Sequence, residues 1–364
     1  MDQTSPLAFV ENEDLLDDVL KLAAATGCEV RRATNAETAG RMWHTAPLVI
    51  LDEAAARQCM DFPRRASVYL IAPDPAPPSL WEQAVHVGAE RVLELPGAEP
   101  WLAEALADAT EAPAPDAGRA LSVLGARGGA GASVFAAALG LTALRTGHNT
   151  LLIDCDPLGG GLDLVLGAES DEGLRWPDLH LRAGRVAASS LHEALPTRTR
   201  GQARLTVLSG ARKGASPAPE AVAAVLEAGR RAGEIVICDV SRQLDPAAQT
   251  ALTRSDLTVM IVPGEVRACV SARLLTYRLS ALGITPSLIV RGPSPGGLTP
   301  SEVATAVNLP LLTTMRPEPA LPQSLDRGTF TPRPRGPLTR AARATLTELS
   351  AQPPRSPRPV RAHP

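Results

Sequence analysis

The chain has 364 residues, 45% hydrophobic and 21% charged, enough for about two domains that each bury a core, so a soluble globular protein is expected. No apolar run approaches the roughly 18 residues needed to span a bilayer, the acidic N-terminus MDQTSPLAFVENEDLL is unlike a signal peptide, and Cys28, Cys59, Cys155, Cys238 and Cys269 are too scattered for a disulfide framework or a zinc site. A cytoplasmic location follows as an expectation, and the net charge of −3 conceals an asymmetry: 8 basic and 18 acidic side chains in residues 1–108, but 9 and 3 in residues 316–364.

From the N-terminus, short apolar runs alternate with helical patterns: LAFV, DLLDDVLKLAAATG, EVRRAT, AETAGRMWHT, PLVILD, SVYLIA, LWEQAVHVGA, RVLELP and EPWLAEALADA. Alternating βα units predict a parallel sheet covered by helices. Their order and length over residues 6–108 resemble the receiver domain of two-component signalling, a flavodoxin-like fold. Glu11 and Asp52 fall where a receiver carries a metal-binding acid and its phosphoryl acceptor. However, the fourth strand ends IAPD without a hydroxyl, and the fifth ends Leu95-Pro96 where Lys-Pro is usual. The resemblance therefore implies a pseudo-receiver at residues 1–108, used for docking. Control by phosphorylation of Asp52 is the alternative.

Residues 109–119, ATEAPAPDAGR, read as a stiff Ala/Pro linker. Beyond it RALSVLGA is a strand, GARGGAGAS a glycine-rich loop and SVFAAALGLTALRTG a helix, the context a phosphate-binding loop requires. Buried strands follow at NTLLID, ARLTVLSG, EIVICDV, DLTVMIVPG, PSLIVRG and LPLLTTMR, separated by helical stretches. Residues 120–350 thus read as one doubly wound α/β domain, and residues 351–364 as a disordered Pro/Arg tail.

Successive backbone N–H groups at a helix N-terminus hold an anion, a lysine adds charge on the outer phosphates, and a Ser/Thr hydroxyl ligates Mg2+. Gly128, Gly129, Ala130, Gly131 and Ser133 keep the cradle and the hydroxyl, whereas Ala132 stands where lysine is expected. Asp154 and Asp156 follow the next strand, and Asp239 ends another, where carboxylates serve Mg2+. Strand-end aspartates are also ordinary turn formers, which is the competing reading of these acids.

Together RGGAGAS, DCDPLGGGLD and VICD resemble the MinD/ParA superfamily of deviant phosphate-loop ATPases, over about residues 120–330. The resemblance implies that Arg127 takes the place of the signature lysine that reaches across a nucleotide-sandwich homodimer, and that Ala132 replaces the loop lysine. It implies Ser133, Asp154 and Asp239 around Mg2+, with Asp154 and Asp156 placing the attacking water. Arg291 matches the arginine of the family's Asn-Arg near the base, with Val290 in place of the asparagine, and Pro317 matches the segment on the base's other side. With 34 arginines and only two lysines in the chain, Arg127 is also explained as drift in composition; Ala132 is not.

A pseudo-receiver ahead of this loop resembles the CpaE/TadZ-like group, closest to its actinobacterial septum-site-determining branch. That implies a positioning regulator recruited to septum or pole, with division or pilus/secretion machinery as partner and at most weak ATP and Mg2+ binding. An active dimerising ATPase in which Arg127 serves for both lysines is the alternative. The final helical stretch GPLTRAARATLTELSA lacks bulky aromatics, so membrane contact is expected only as weak attraction of the tail to anionic lipid, and no basic helix face points to nucleic acid.

Overall fold

The computed structural model describes residues 5–110, 118–179, 186, 188–210, 212 and 216–352. Most of the expected linker, and the expected tail from residue 353 on, lie outside the described residues. The chain divides near residue 112 into two compact units.

The N-terminal unit is a five-stranded parallel sheet built from β1 (Leu7–Phe9), β2 (Arg31–Arg32), β3 (Val49–Leu51), β4 (Val68–Pro73) and β5 (Arg91–Leu95), in the order β2-β1-β3-β4-β5. Strand residues alternate between two buried faces: Phe9, Val49, Leu51 and Leu70 pack with Trp43, while Ala8, Ile50, Tyr69 and Ile71 pack with Val19 and Leu102. Burial on both faces is what a parallel sheet clad in helices demands. The run EVRRAT contributes only the exposed Arg31–Arg32, a short charged edge that discourages further strand pairing. The six-residue helix Glu53–Gln58, capped by Asp52, has no counterpart in the sequence reading, because so short a segment carries no helical periodicity.

The C-terminal unit is an eight-stranded sheet of β6 (Arg119–Gly125), β7 (Thr150–Cys155), β8 (Thr197–Arg200), β9 (Ala203–Leu208), β10 (Ile235–Val240), β11 (Leu257–Pro263), β12 (Ser287–Arg291) and β13 (Leu311–Met315). Its order is β13-β12-β11-β6-β10-β7-β9-β8, with every pairing parallel except β8 on β9. The helix Ala132–Arg145 that follows the loop is apolar all round and buried from Phe135 to Leu144. A helix of that kind needs cover on every side, and it packs among β6, β7, β9, β10 and the C-terminal helix Pro337–Ala351. Gly140 allows the close approach: a Cβ there would sit 3.0 Å from Leu205 Cδ1. No helix among the described residues is long and apolar enough to cross a membrane.

Candidate functional site

The parallel strands β6, β7 and β10 end together, so their C-terminal residues form one rim. The glycine-rich loop leaves β6 there. Gly129 (φ +69°) and Gly131 (φ +95°) adopt the left-handed conformation that side chains disfavour, and Gly131 is the N-cap of the helix Ala132–Arg145. These turns let the loop double back onto the helix N-terminus, where free backbone N–H groups make an anion-holding concavity. Gly125 permits the fold-back itself, since a Cβ at that position would lie 3.0 Å from Ala130 Cβ.

Beneath the loop, Ser133 lies beside the carboxyl of Asp239, which is 2% exposed at the end of β10. Asp239 pairs in register with Val123 of β6 on one side and Asp154 of β7 on the other. Burial, and then the negative charge of Asp154, push the Asp239 carboxyl up to about 8; the nearby Ser133 hydroxyl opposes this and Asp156 adds to it. Asp154 is also raised, first by burial, against hydrogen bonds from backbone N–H groups. Those donors are Asp156 N and Leu162 N, each at 3.1 Å, and Gly210 N at 3.4 Å. Asp154 thus organises the turn after β7, as a turn-forming aspartate does, while standing beside Asp239 as a site acid would. Asp156 is half-buried and closes the next turn by accepting from Leu158 N.

The three acids raise one another's charge cost at this rim, and a divalent cation there would relieve their repulsion. Among the described residues no group of three or more His, Cys, Asp or Glu could hold a metal by itself. Mg2+ ordinarily takes one or two protein ligands and fills the rest of its octahedron with phosphate and water oxygens, so Ser133 and Asp239 are a suitable pair.

Two arginines flank the loop. Arg127 Nη2 donates to Glu265 Oε1 and Oε2 at 2.9 and 3.0 Å, and Nη1 to its neighbour Gly128 O at 2.9 Å. Arg291, at the end of β12, places Nη1 3.0 Å from Gly129 O and 3.2 Å from where a Gly131 Cβ would stand. Its guanidinium therefore lies on the glycine loop itself. Pro317 is exposed just beyond β13, at the sheet edge away from β6.

Several site neighbours escaped the sequence reading. Glu265 caps the helix Val266–Ser280 directly after β11, and Ser271 on that helix donates to Ala126 O at 2.6 Å. Buried Asp163 gathers Ser209 Oγ (3.0 Å), Arg212 Nη2 (3.1 Å) and Arg175 Nε (3.4 Å). Burial alone would raise its carboxyl, but the bonds from Arg212, Ser209 and the Leu164 N–H, together with the Arg212 charge, hold it below the ordinary range. Trp176 Nε1 ties the same corner to the Asp154 carbonyl at 2.6 Å. Glu265 stands at a strand end, the position that marked Asp154 and Asp239; the Asp163 cluster has no such mark.

In the N-terminal unit Asp52 is 4% exposed and both its oxygens are engaged: Oδ2 accepts from Glu11 N and Asn12 N at 2.8 Å, and Oδ1 from Ala55 N at 2.9 Å. The Glu11 carboxylate accepts from Gln58. Leu95, at the receiver-lysine position, is buried and apolar. Asp52 therefore joins the β1 and β3 ends and caps a helix.

A family model described as Rv3660c-like, CheY-like N-terminal domain matches residues 9–117. Protein Rv3660c of Mycobacterium tuberculosis (strain ATCC 25618 / H37Rv) is 42% identical over 340 residues, covering 92% of this chain and 95% of that one. Among solved structures, a ParA family ATPase from Chlorobium tepidum TLS superposes with a TM-score of 0.54 at 18% identity, over 65% of this chain and 100% of its own. The septum site-determining protein MinD of Pyrococcus horikoshii OT3, complexed with Mg-ADP, gives 0.53 at 19% identity, over 64% of this chain and 96% of its own. These likenesses show the fold of the larger unit, a phosphate-loop NTPase fold of MinD/ParA type. The chain accordingly belongs to the Rv3660c-like family, with a CheY-like N-terminal domain and a MinD/ParA-like phosphate-loop fold.

Proposed function

We propose that this protein is a nucleotide-binding positioning regulator of the MinD/ParA type, acting in division control or in placing pilus or secretion machinery at septum or pole. Its domains are a docking pseudo-receiver at residues 1–108 and a nucleotide unit at residues 120–350, joined by a linker and followed by a basic tail. The observation that carries the reading is the Ser133–Asp239 pair beneath the glycine loop, where hydroxyl and carboxylate are already adjacent. The solved neighbour with Mg-ADP lends support at the level of the fold.

In this reading Gly128 to Ser133 cradle phosphates, Ser133 and Asp239 hold Mg2+, Asp154 and Asp156 keep the turn and a water in place, and Arg127, Arg291 and Pro317 border the ligand. Bound Mg2+ would supply charge neutralisation on the phosphates. Ala132 leaves out one charge-assisted contact, a loss of about 1.5–3 kcal/mol in binding and more wherever charge gathers during hydrolysis. Weak ATP binding with slow turnover in a homodimer follows. The active-ATPase alternative requires Arg127 to leave Glu265 of its own chain and cross to a partner.

Equilibrium titration of ATP with and without Mg2+ tests the site. Binding should strengthen with Mg2+ in the wild type and lose that dependence in Ser133→Ala; equal affinities with and without the metal would overturn the reading. Turnover that climbs steeply with protein concentration and collapses in Arg127→Ala would favour the active switch.

A further inference from the structure

We propose that Arg291 supplies the phosphate-facing positive charge that the loop lacks at Ala132, so that a nucleoside di- or triphosphate is gripped between the loop amides and this guanidinium. The inference rests on reading the loop as a nucleotide site, and it changes the role that the resemblance to the MinD/ParA superfamily implies for Arg291, which is a place near the base.

β12 is separated from β6 by β11, yet the side chain of Arg291 spans that distance and its Nη1 donates to Gly129 O at 3.0 Å. Gly129 is the left-handed residue at which the loop turns, so the guanidinium sits at the curvature of the cradle. The 3.2 Å approach to the Cβ position of Gly131 gives that glycine a second purpose: any side chain there would press on the arginine. A guanidinium has five N–H donors, and among the described residues the bond to Gly129 is the one its side chain makes. Donors therefore remain for an anion held against the loop.

The local charge points the same way. Arg291 is half-buried, and burial, followed by the charge of Arg127, lowers its pKa, while Glu265 opposes. The Glu265 carboxylate is taken by Arg127. A phosphate chain would answer the second cation, and arginine's planar fork suits phosphate oxygens better than the point charge of lysine.

Titrations of the full-length chain with Mg-ATP and with tripolyphosphate, which has a phosphate chain and no base, test this. Arg291→Gln keeps a donor for the Gly129 carbonyl but removes the charge, and a thermal melt checks that the variant is folded. Affinity for both ligands should fall at least tenfold in Arg291→Gln, and Arg291→Lys should recover part of it. Unchanged affinity for both, or a loss confined to ATP with tripolyphosphate unaffected, would overturn the proposal and return Arg291 to the base. A wild-type chain that binds neither ligand would remove the nucleotide reading itself.

Discussion

Arg127 is held by Glu265: one guanidinium nitrogen donates to both carboxylate oxygens, at 2.9 and 3.0 Å, across 138 positions of sequence. The two side chains are 35% and 37% exposed, and ion pairs at such positions contribute about 1 kcal/mol or less. The loop's own cation is thus parked on a neighbouring helix cap by a contact that a polyanion is able to displace.

Glu265→Gln should free Arg127 and raise affinity for Mg-ATP severalfold. The helix Val266–Ser280 should survive, because the Glu265 side chain makes no capping hydrogen bond. Titration of the variant alongside a thermal melt checks this; unchanged or weaker binding in a folded variant would show that Arg127 does not reach the ligand.

Asp239 makes the site sensitive to pH. Its carboxyl stands at about 8 in the folded chain, above the ordinary 3.8. The folded state therefore binds a proton that the unfolded state releases, so the stability from this group is full below about pH 4 and is lost as pH rises through 8. Asp239→Asn should remove that loss and melt higher than wild type at pH 9. Conversely, Mg2+ needs the carboxylate, so wild-type metal binding should strengthen from pH 6 to 8.5 and release protons. Calorimetry in buffers of different ionisation enthalpy would detect the release; no proton release near pH 7 would contradict it.

Asp52 is expected to behave as a cap. Asp52→Ala strands the N–H groups of Glu11, Asn12 and Ala55 and should destabilise the N-terminal unit by about 1–3 kcal/mol, with Asp52→Asn costing less. Denaturant unfolding measures the difference. Incubation with acetyl phosphate should leave the mass of the wild type unchanged, and stoichiometric phosphorylation would restore the response-regulator alternative.

The sheets were legible because buried parallel strands are continuous apolar runs: VICDV ends with β10 at Val240, and TVLSG and MIVPG run one or two residues past the ends of β9 at Leu208 and β11 at Pro263. β8 was not, since its TRTR is polar and exposed, and only its pairing with β9 makes it a strand. The loop and Asp239 were legible through their spacing from strand ends. The Arg127–Glu265 pair, the Arg291–Gly129 contact and the Asp163 cluster join residues far apart in the chain, and no local pattern announces such meetings. Arg291 shows the difference most plainly: its position on β12 was visible, but the direction of its side chain, onto the loop, was not.

The central claim is that the loop kept its phosphate cradle and lost the lysine that would make binding tight. Calorimetric titration of Mg-ATP into the wild type and Ala132→Lys tests it most directly. The account predicts saturable but weak binding at one site per chain in the wild type, with about tenfold or greater tightening when the lysine is restored, corresponding to about 1.4 kcal/mol or more. Wild-type binding that is already tight and unaffected by Ala132→Lys, or no binding by either protein, would contradict it.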